Sequence, residues 1–291
     1  MTDTIRIATD AISAEISTLG AELRVLRDKA GRDLLSDGPP EYWTGRAPFL
    51  FPIVGAVNGD RIHLDGRAYE MAKHGFARKS EFAVVDVEAD RATFRLEAND
   101  ATRARYPFDF RLDITHRIES ATLHMEAVLT NPGDMPLPAS FGFHPAFRWP
   151  LPWGGDRADH RLIFGEAEPD PIRRIDTATG LVLPDPVPTP VEGDMLAPRD
   201  DLFVPDALIF DRLRSRSVRF GVPGARMLRV DFPEMPLLGV WTKPGAPFLC
   251  IEPWHGLADP VGYEGEFREK PYVIEVAPGA ERRFAIAVTI A

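Results

Sequence analysis

The chain has 291 residues and a formal net charge of −10, with 44% apolar and 27% charged residues. This composition is typical of a globular protein, and its acidic balance argues against a nucleic-acid backbone or an anionic membrane surface as a partner. The only cysteine is Cys250, so no intramolecular disulfide can form and we expect no metal site built from cysteines.

The N-terminal stretch 1–17 has neither the basic start nor the apolar core of a signal peptide, and no apolar run reaches the length of a membrane span. We therefore expect a soluble cytoplasmic protein with no membrane partner. The length allows two small domains or one large β domain, and the 28 prolines and 23 glycines favour many turns over long helices.

Alternation of apolar and polar residues recurs along the chain and predicts half-buried strands. The alternating segments are residues 19–25, 62–71, 91–97, 110–118, 123–129, 218–222, 228–232 and 284–290. Asp65-Gly66 between two such runs predicts a β-hairpin. The best helical signal is residues 99–106, with Asp100 as candidate N-cap and Pro107 after the end. Strands from start to finish, with no helices to cover a parallel sheet, predict an all-β fold, a large antiparallel β-sandwich.

Residues 166–199 form a long segment without clear periodicity, rich in Pro, Asp and Thr. Strand patterning of similar character resumes after it, so we interpret the segment as a surface excursion within the domain rather than a linker. Long loops inside compact domains are often functional or mobile. The sequence leaves the role of this segment open.

Two early stretches interrupt the alternation and carry candidate binding groups. Residues 45–55 are apolar and contain two prolines, and Arg46 lies near their start. Arg46 is either a surface arginine beside a buried strand or a donor at the rim of a pocket. Residues 73–78 place His74 and Arg78 around a glycine directly after a predicted strand, where binding groups concentrate. The alternative there is a capping loop whose charges are merely solvated.

Two later stretches carry a candidate acid and a candidate base. In residues 141–147, His144 lies among aromatic residues; taken alone, such a histidine is more often a hydrogen-bonded core residue than a proton donor. In residues 247–255, an apolar run typical of a strand buried on both faces leads into Glu252 and Trp254. Partial desolvation there raises a carboxyl pKa towards the range of a general base. The alternative is a structural acid that binds a neighbouring backbone group or arginine.

Several chemistries have no support in the sequence. There is no glycine-rich phosphate loop, no Gly-x-Ser-x-Gly and no His-Glu-x-x-His. The histidines and Glu252 lack the close-set spacing of metal ligands, so we expect neither a metal nor a cofactor. His255 is a secondary candidate because it follows Trp254, and we interpret Trp241 as a core residue.

Three motifs together resemble the aldose 1-epimerase (galactose mutarotase-like) family, closest to its LacX-like and hexose-6-phosphate mutarotase branch. They are Lys73-His74-Gly75-Phe76-Ala77-Arg78, Phe143-His144-Pro145 and Cys250-Ile251-Glu252-Pro253-Trp254. The likeness follows essentially the whole chain in the same order. It implies one galactose mutarotase-like sandwich domain over residues 1–291, with a sugar site in a cleft on one sheet.

The resemblance also implies an activity and its acid and base. The activity is interconversion of the α and β anomers of a hexose or hexose 6-phosphate by ring opening and closure. Glu252 matches the catalytic base and His144 the catalytic acid, and His74 matches the histidine that holds the substrate near the reacting ring. This chemistry needs two proton-transferring groups and no cofactor.

Further residues match substrate-binding positions of the family. Arg78 matches an arginine that contacts substrate in the phosphosugar branch, and Arg46 matches a further arginine more loosely. Asp206 matches the substrate-binding aspartate, with Asp211 nearby as the alternative. Trp254 is expected to pack on the C–H face of the sugar. Arginine forks suit a phosphate, and Lys73 or Lys79 are additional cations for one.

Two departures from the galactose mutarotases leave the sugar open. Pro253-Trp254 stands where those enzymes have Thr-Gln, and Asn58-Gly59-Asp60-Arg61-Ile62 stands in the region of their Asn-Arg-Ile motif. The partner is thus a small sugar or sugar phosphate, and the chain is expected to be a monomer or a homodimer. A non-catalytic carbohydrate-binding protein is the alternative function, while a glycoside hydrolase would typically need a second well-placed carboxylate.

Overall fold

The computed structural model describes residues 3–291, which form an antiparallel all-β protein. Its strands are β1 (Thr4–Ala8), β2 (Ile12–Ser17), β3 (Leu23–Asp28), β4 (Phe49–Leu50), β5 (Arg61–Leu64), β6 (Arg67–Glu70), β7 (Ala83–Val87), β8 (Arg91–Glu97), β9 (Arg111–Glu119), β10 (Thr122–Thr130), β11 (Leu137–Ala139), β12 (Phe141–Phe143), β13 (Ala146–Arg148), β14 (Arg161–Phe164), β15 (Met195–Leu196), β16 (Leu208–Phe210), β17 (Ser217–Gly221), β18 (Met227–Asp231), β19 (Leu237–Trp241), β20 (Phe248–His255), β21 (Ile274–Val276) and β22 (Glu281–Ile290).

Helical structure is short throughout the described residues. The one α-helix is α1 (Asp100–Arg103), and single 3₁₀ turns occur at Asn58–Asp60, Ala77–Lys79, Arg157–Asp159, Asp200–Phe203 and Phe267–Glu269. Between residues 3 and 291, no helix has the length and apolar character needed to cross a membrane.

Two large sheets carry most of the chain. The first has nine strands in the order β15-β14-β17-β18-β22-β10-β9-β8-β7. The second has six, in the order β16-β19-β20-β12-β4, with β13 also paired to β20. Smaller sheets join β1-β2-β3, β5-β6 and β11-β21. The predicted all-β antiparallel sandwich is confirmed.

The two large sheets bury a common apolar core because their strands alternate as the sequence does. Along β9 and β10, every second side chain is fully buried over nine residues. Phe141 on β12 stacks on Phe284 on β22, with ring centroids 4.8 Å apart, so the inner faces of the two sheets touch directly. Such aromatic contacts bury large apolar areas and fix the packing of the two layers.

Of two local predictions, the hairpin is confirmed and the helix needs correction. The Asp65-Gly66 hairpin is confirmed as the β5–β6 turn, with positive φ at both residues. The helix is shorter than predicted and its N-cap is Asn99, not Asp100. The Asn99 Oδ1 atom accepts from the Thr102 N–H at 3.1 Å, and the Thr102 hydroxyl accepts from the Asn99 N–H at 2.8 Å. This reciprocal pair satisfies backbone donors that Asp100, inside the first turn, cannot reach.

Two longer predictions need correction. The segment 19–25 is not one strand, because positive φ at Gly20 and Ala21 turns the chain before β3 begins. Residues 166–199 are not wholly a surface excursion. Within them, the Val182 N–H donates to the Asp259 carbonyl at 2.8 Å, and both Ile172 and Val182 are buried. The segment therefore packs against the second sheet.

Candidate active site

Strand register places His144 opposite Glu252. In the pairing of β12 with β20, Gly142 is the partner of Trp254, and in the pairing of β13 with β20, Ala146 is the partner of Cys250. Counting inward from both pairs brings His144 to the position across from Glu252. The histidine occupies the break between β12 and β13, so its side chain sits at an interruption of the ladder.

Strand β20 is buried and still places Glu252 in the wall of a cavity. Its apolar run is buried on both faces, as predicted. Leu249 and Ile251 join the core between the sheets, while Glu252 and Trp254 on the opposite face line a cavity of about 330 Å³. Glu252 lies inside the strand rather than at its end, since β20 continues to His255.

Two glycines on neighbouring strands make room for the indole of Trp254. A Cβ atom at Gly142 would lie 2.8 Å from the ring, and one at Gly239 would lie 2.5 Å from it. Both separations are too short for any side chain, so the ring lies directly over the backbone of β12 and β19. The Trp254 Nε1 atom is buried without a hydrogen-bond partner among residues 3–291.

His144 and Glu252 form a close buried pair. The His144 Nε2 atom is 3.1 Å from Glu252 Oε2, and the two side chains are 8% and 2% exposed. Burial raises the pKa of Glu252 well above its usual value, and the Asp206 charge adds to the rise while Lys73 opposes it. Burial also lowers the pKa of His144 to about 3, helped by the charges of Lys73 and Arg78. Burial therefore favours the uncharged form of both groups, in which the pair keeps a single proton.

His74 stands beside the pair in a constrained turn. It has φ of 67°, and Gly75 after it has φ of 70°, where a Cβ would lie 2.1 Å from the Phe51 carbonyl oxygen. Gly75 therefore adopts a backbone conformation that a residue with a side chain could not take here. The Gly55 N–H donates to His74 Nδ1 at 3.1 Å, which leaves the proton of the neutral ring on Nε2. Burial lowers the pKa of His74 well below its usual value, so the ring is a neutral donor.

Three cationic side chains line the cavity. Arg78 donates to the Lys73 carbonyl at 3.0 Å, and both residues line the cavity together with Lys243. Burial lowers the pKa of Arg78, although the guanidinium stays charged at neutral pH. Lys243 follows β19 and has no local sequence signal that predicts it.

The choice between the two aspartates follows from their positions. Asp206 lines the cavity, whereas the Asp211 carboxylate accepts from Arg173 Nε at 2.9 Å and does not line it. Arg174 donates to the Asp206 carbonyl at 2.9 Å, and Asp206 has a φ of 65°. The segment 166–199 thus holds the Asp206 turn in place.

Six of the seven predicted site residues line the cavity: His74, Arg78, His144, Asp206, Glu252 and Trp254. The seventh, Arg46, does not. Its guanidinium donates to the carbonyl oxygens of Arg24 on β3 and Asp37 in the following loop, at 2.7 and 2.8 Å, and does not enter the cavity. His255 also lies elsewhere, with its Nδ1 atom 3.1 Å from the Tyr272 carbonyl oxygen.

Two further tryptophans lie beside His144. Trp43 stacks on His144 with ring centroids 4.7 Å apart and planes at 30°, and Trp241 meets Trp43 edge-on at 5.6 Å. Both line the cavity, and Trp241 also packs, partly buried, against the neighbouring apolar clusters, so its interpretation as a core residue is only partly right. Ile175 and Gly180 line it too, which gives the 166–199 segment a place in its wall. These contacts join distant parts of the chain, so local sequence patterns do not predict them.

One set of three close side chains in the described chain offers metal-binding atoms. It consists of His144, Cys250 and Glu252, all buried, with one donor atom from each lying within 4.8 Å of the others.

Comparison with known proteins gives consistent matches over most of the chain. A family model described as aldose 1-epimerase matches residues 3–275. The chromosomal LacX protein of Lactococcus lactis subsp. lactis is 33% identical, covering 99% of each chain. A galactose mutarotase-like protein from Lactobacillus casei has a TM-score of 0.91 at 27% identity, covering 99% of this chain and 100% of that one. A galactose mutarotase related enzyme from Lactobacillus acidophilus has a TM-score of 0.88, also at 27% identity, covering 99% and 97%.

Proposed function

The chain belongs to the aldose 1-epimerase family and is thus a sugar epimerase, and we propose that it interconverts the α and β anomers of a hexose or hexose 6-phosphate. The observation that carries this proposal is the buried pair of His144 Nε2 and Glu252 Oε2, 3.1 Å apart in the wall of the cavity. A base and an acid that share one proton suit a reaction that moves one proton off the substrate and another onto it.

The proposed reaction opens and recloses the hemiacetal. The Glu252 carboxylate takes the proton of the C1 hydroxyl while the His144 imidazolium gives a proton to the ring oxygen, so the C1–O5 bond breaks and C1 becomes a carbonyl carbon. Rotation about C1–C2 presents the other carbonyl face. The ring oxygen attacks it, His144 takes its proton back, and Glu252 returns the other. Positioned proton transfer contributes about 10²–10⁴-fold, which suits a reaction that already proceeds in water.

The ionised form of the pair is reached without solvent. A carboxylate with an imidazolium and a carboxylic acid with an imidazole differ by one proton moved between Glu252 and His144. Their separation of 3.1 Å permits that transfer. The buried histidine therefore becomes an acid through its partner rather than through its own affinity for a proton.

The other groups in the cavity have complementary roles in this proposal. The His74 Nε2–H donates to an oxygen at the reacting end of the sugar, and the Asp206 carboxylate accepts from a hydroxyl. The Trp254 ring packs against C–H groups. Arg78, with Lys73 and Lys243 on the same cavity, favours a substrate that carries an anionic group, because a guanidinium binds phosphate through paired N–H donors.

Anomer exchange measured by NMR exchange spectroscopy tests the proposal. We expect Glu252→Gln and His144→Ala each to reduce the catalysed exchange rate by about 10²–10⁴-fold, because each removes one proton-transferring group. A panel of free aldoses and their 6-phosphates identifies the substrate class. Arg46→Ala is the matched control, since Arg46 lies outside the cavity and should leave kcat nearly unchanged.

Circular dichroism would establish that each variant is folded. Wild-type exchange rates in both the Glu252→Gln and the His144→Ala variants, for the substrate that the wild-type protein turns over best, would show that the acid/base assignment is wrong.

A further inference from the structure

The His144–Glu252 pair has a third chemically reactive neighbour. Cys250 is two residues before Glu252 on β20, so their side chains project from the same face of the strand. Ala146, the register partner of Cys250, is two residues after His144. The thiol is fully buried behind the pair, in a cluster with Ala146 and Trp241.

These three side chains have the chemistry of a site for a thiophilic divalent cation. Imidazole nitrogen, thiolate sulfur and carboxylate oxygen are the three side-chain donors that bind zinc, with bonds of about 2.0–2.3 Å. Donors around a tetrahedral ion then lie roughly 3.3–3.8 Å apart. His144 Nε2 and Glu252 Oε2 are already 3.1 Å apart, and no separation in the set exceeds 4.8 Å. A side-chain adjustment of about 1 Å closes the site around an ion.

The surroundings provide access but little further support for an ion. His144 and Glu252 line the cavity, which gives an ion a route from solvent and leaves the fourth ligand position facing open space. The His144 Nδ1 atom is buried without a hydrogen-bond partner among the described residues. Metal-binding histidines usually donate from their second nitrogen to a fixed acceptor. These features indicate a site that takes up an added ion reversibly rather than a permanent structural centre.

We propose that His144, Cys250 and Glu252 together bind Zn²⁺ or Cd²⁺. On binding, the ion forms one bond each to nitrogen, sulfur and oxygen. The thiol proton and the proton shared by His144 and Glu252 leave to solvent, so charge and atoms balance. A consequence that rests on the proposed function is inhibition, because the bound ion occupies both atoms that would exchange protons with the sugar.

Titration of the purified full-length chain with CdCl₂ tests the site without reference to activity. Because Cys250 is the only cysteine, an ultraviolet Cd–thiolate charge-transfer band reports on this residue alone. We expect the band to saturate at one equivalent. Cys250→Ala should abolish it and weaken cadmium binding, measured by calorimetry, by at least about 100-fold, since changes to supporting residues alone typically cost 10–100-fold.

His124→Ala is the matched control. His124 Nε2 lies 3.8 Å from Glu119 Oε2 on a more exposed part of the chain, so it represents a surface pair that also attracts cations. This variant should keep both the band and the affinity. Absence of the band in the wild-type protein, or equal affinity in the wild-type and Cys250→Ala proteins, would overturn the proposal. If Cys250→Ala does not fold, Cys250→Ser, which is nearly the same size, replaces it with the same expectations.

The activity measurement separates the two proposals. Zn²⁺ should inhibit anomer exchange by the wild-type protein, and Cys250→Ala should need at least about 100-fold more Zn²⁺ for the same inhibition. A band without exchange activity on any aldose would reject the proposed function and keep the metal site. Exchange activity without the band would reject the metal site and keep the proposed function.

Discussion

At the level of single side chains, burial sets the protonation of the candidate acid and base. Desolvation disfavours the charged form of either group, which raises the pKa of Glu252 and lowers that of His144. The two shifts act in opposite directions on opposite types of group. The consequence is a wide pH range in which the pair keeps a single proton.

This electrostatic arrangement predicts a flat pH profile on the acid side. A second proton enters the pair only as the pH approaches the lowered pKa of His144, about 3, rather than 6.5. The last proton leaves only above the raised pKa of Glu252. We therefore expect kcat/KM for anomer exchange of an unphosphorylated aldose, which itself does not titrate in this range, to stay level as pH falls through 6.5. A loss of activity centred near pH 6.5 would indicate an ordinary, solvated histidine.

His116 carries a similar burial effect away from the cavity. It is fully buried on β9, its Nε2 atom is 3.0 Å from the Ala21 carbonyl oxygen, and burial lowers its pKa to about 4. The unfolded chain, with an ordinary histidine pKa of 6.5, therefore binds more protons than the folded chain between these two values. Stability contributed by the neutral ring is complete above pH 6.5 and is lost as pH falls towards 4.

We expect His116→Gln to weaken this pH dependence of the free energy of unfolding. Glutamine can still donate to the Ala21 carbonyl but does not titrate. Between pH 6.5 and 4, the wild-type protein should lose up to about 3 kcal/mol more than the variant, measured by urea unfolding. Because His74, His144 and the carboxylates are common to both proteins, their contributions cancel. Parallel stability curves would show that His116 is not the group that titrates.

At the level of elements, the two faces of β20 have different roles, since one belongs to the core and the other carries the candidate site residues. Its odd-numbered side chains, such as Leu249 and Ile251, pack between the sheets, and its even-numbered ones face the cavity side. The neighbouring strands contribute glycine where the Trp254 ring needs space. The position of this ring therefore depends on residues that have no side chain of their own.

Gly239→Ala tests this arrangement. Its Cβ would lie 2.5 Å from the Trp254 ring, which must then move. Such overpacking typically costs about 1–3 kcal/mol of stability, and the displaced ring should raise KM for the sugar. Thermal unfolding and exchange kinetics measure the two effects. Gly133→Ala is the control, since its Cβ would come no nearer than 3.3 Å to Asn131 Oδ1 and 3.7 Å to Asp109 Cβ. Equal stability and KM in both variants would contradict the proposed contact.

Over the whole molecule, the sequence predicts those strands that show a local alternation of apolar and polar residues. Strict alternation predicts long strands such as β10, whereas β4 and β15 are two residues long and too short to show a period. The turn at Gly20 and Ala21 makes β3 begin later than the predicted segment 19–25, since alanine is not a residue type that indicates a left-handed conformation. Alternation fixes which face is buried but does not give the order of nine strands in a sheet.

Some residues of the candidate site could likewise be predicted from local sequence, and others could not. His144 and Glu252 could be found because each belongs to a short motif, and strand register then brings them together. Trp43 and Lys243 could not, because they reach the cavity through loops whose paths are set by tertiary contacts. Arg46 belongs to a distinctive stretch, yet its guanidinium binds the carbonyl oxygens of Arg24 and Asp37 instead of entering the cavity.

The break between β12 and β13 also bears on how the protein acquires activity during folding. His144 meets Glu252 only after two short strands have found a partner that follows them by about a third of the chain. Closing so long a loop is entropically costly and makes folding slow. No isolated hairpin, and no fragment ending before β20, contains both groups. Recovery of catalysis after dilution from denaturant should accordingly report completion of the six-stranded sheet, later than the appearance of strands from local pairs such as β9 and β10.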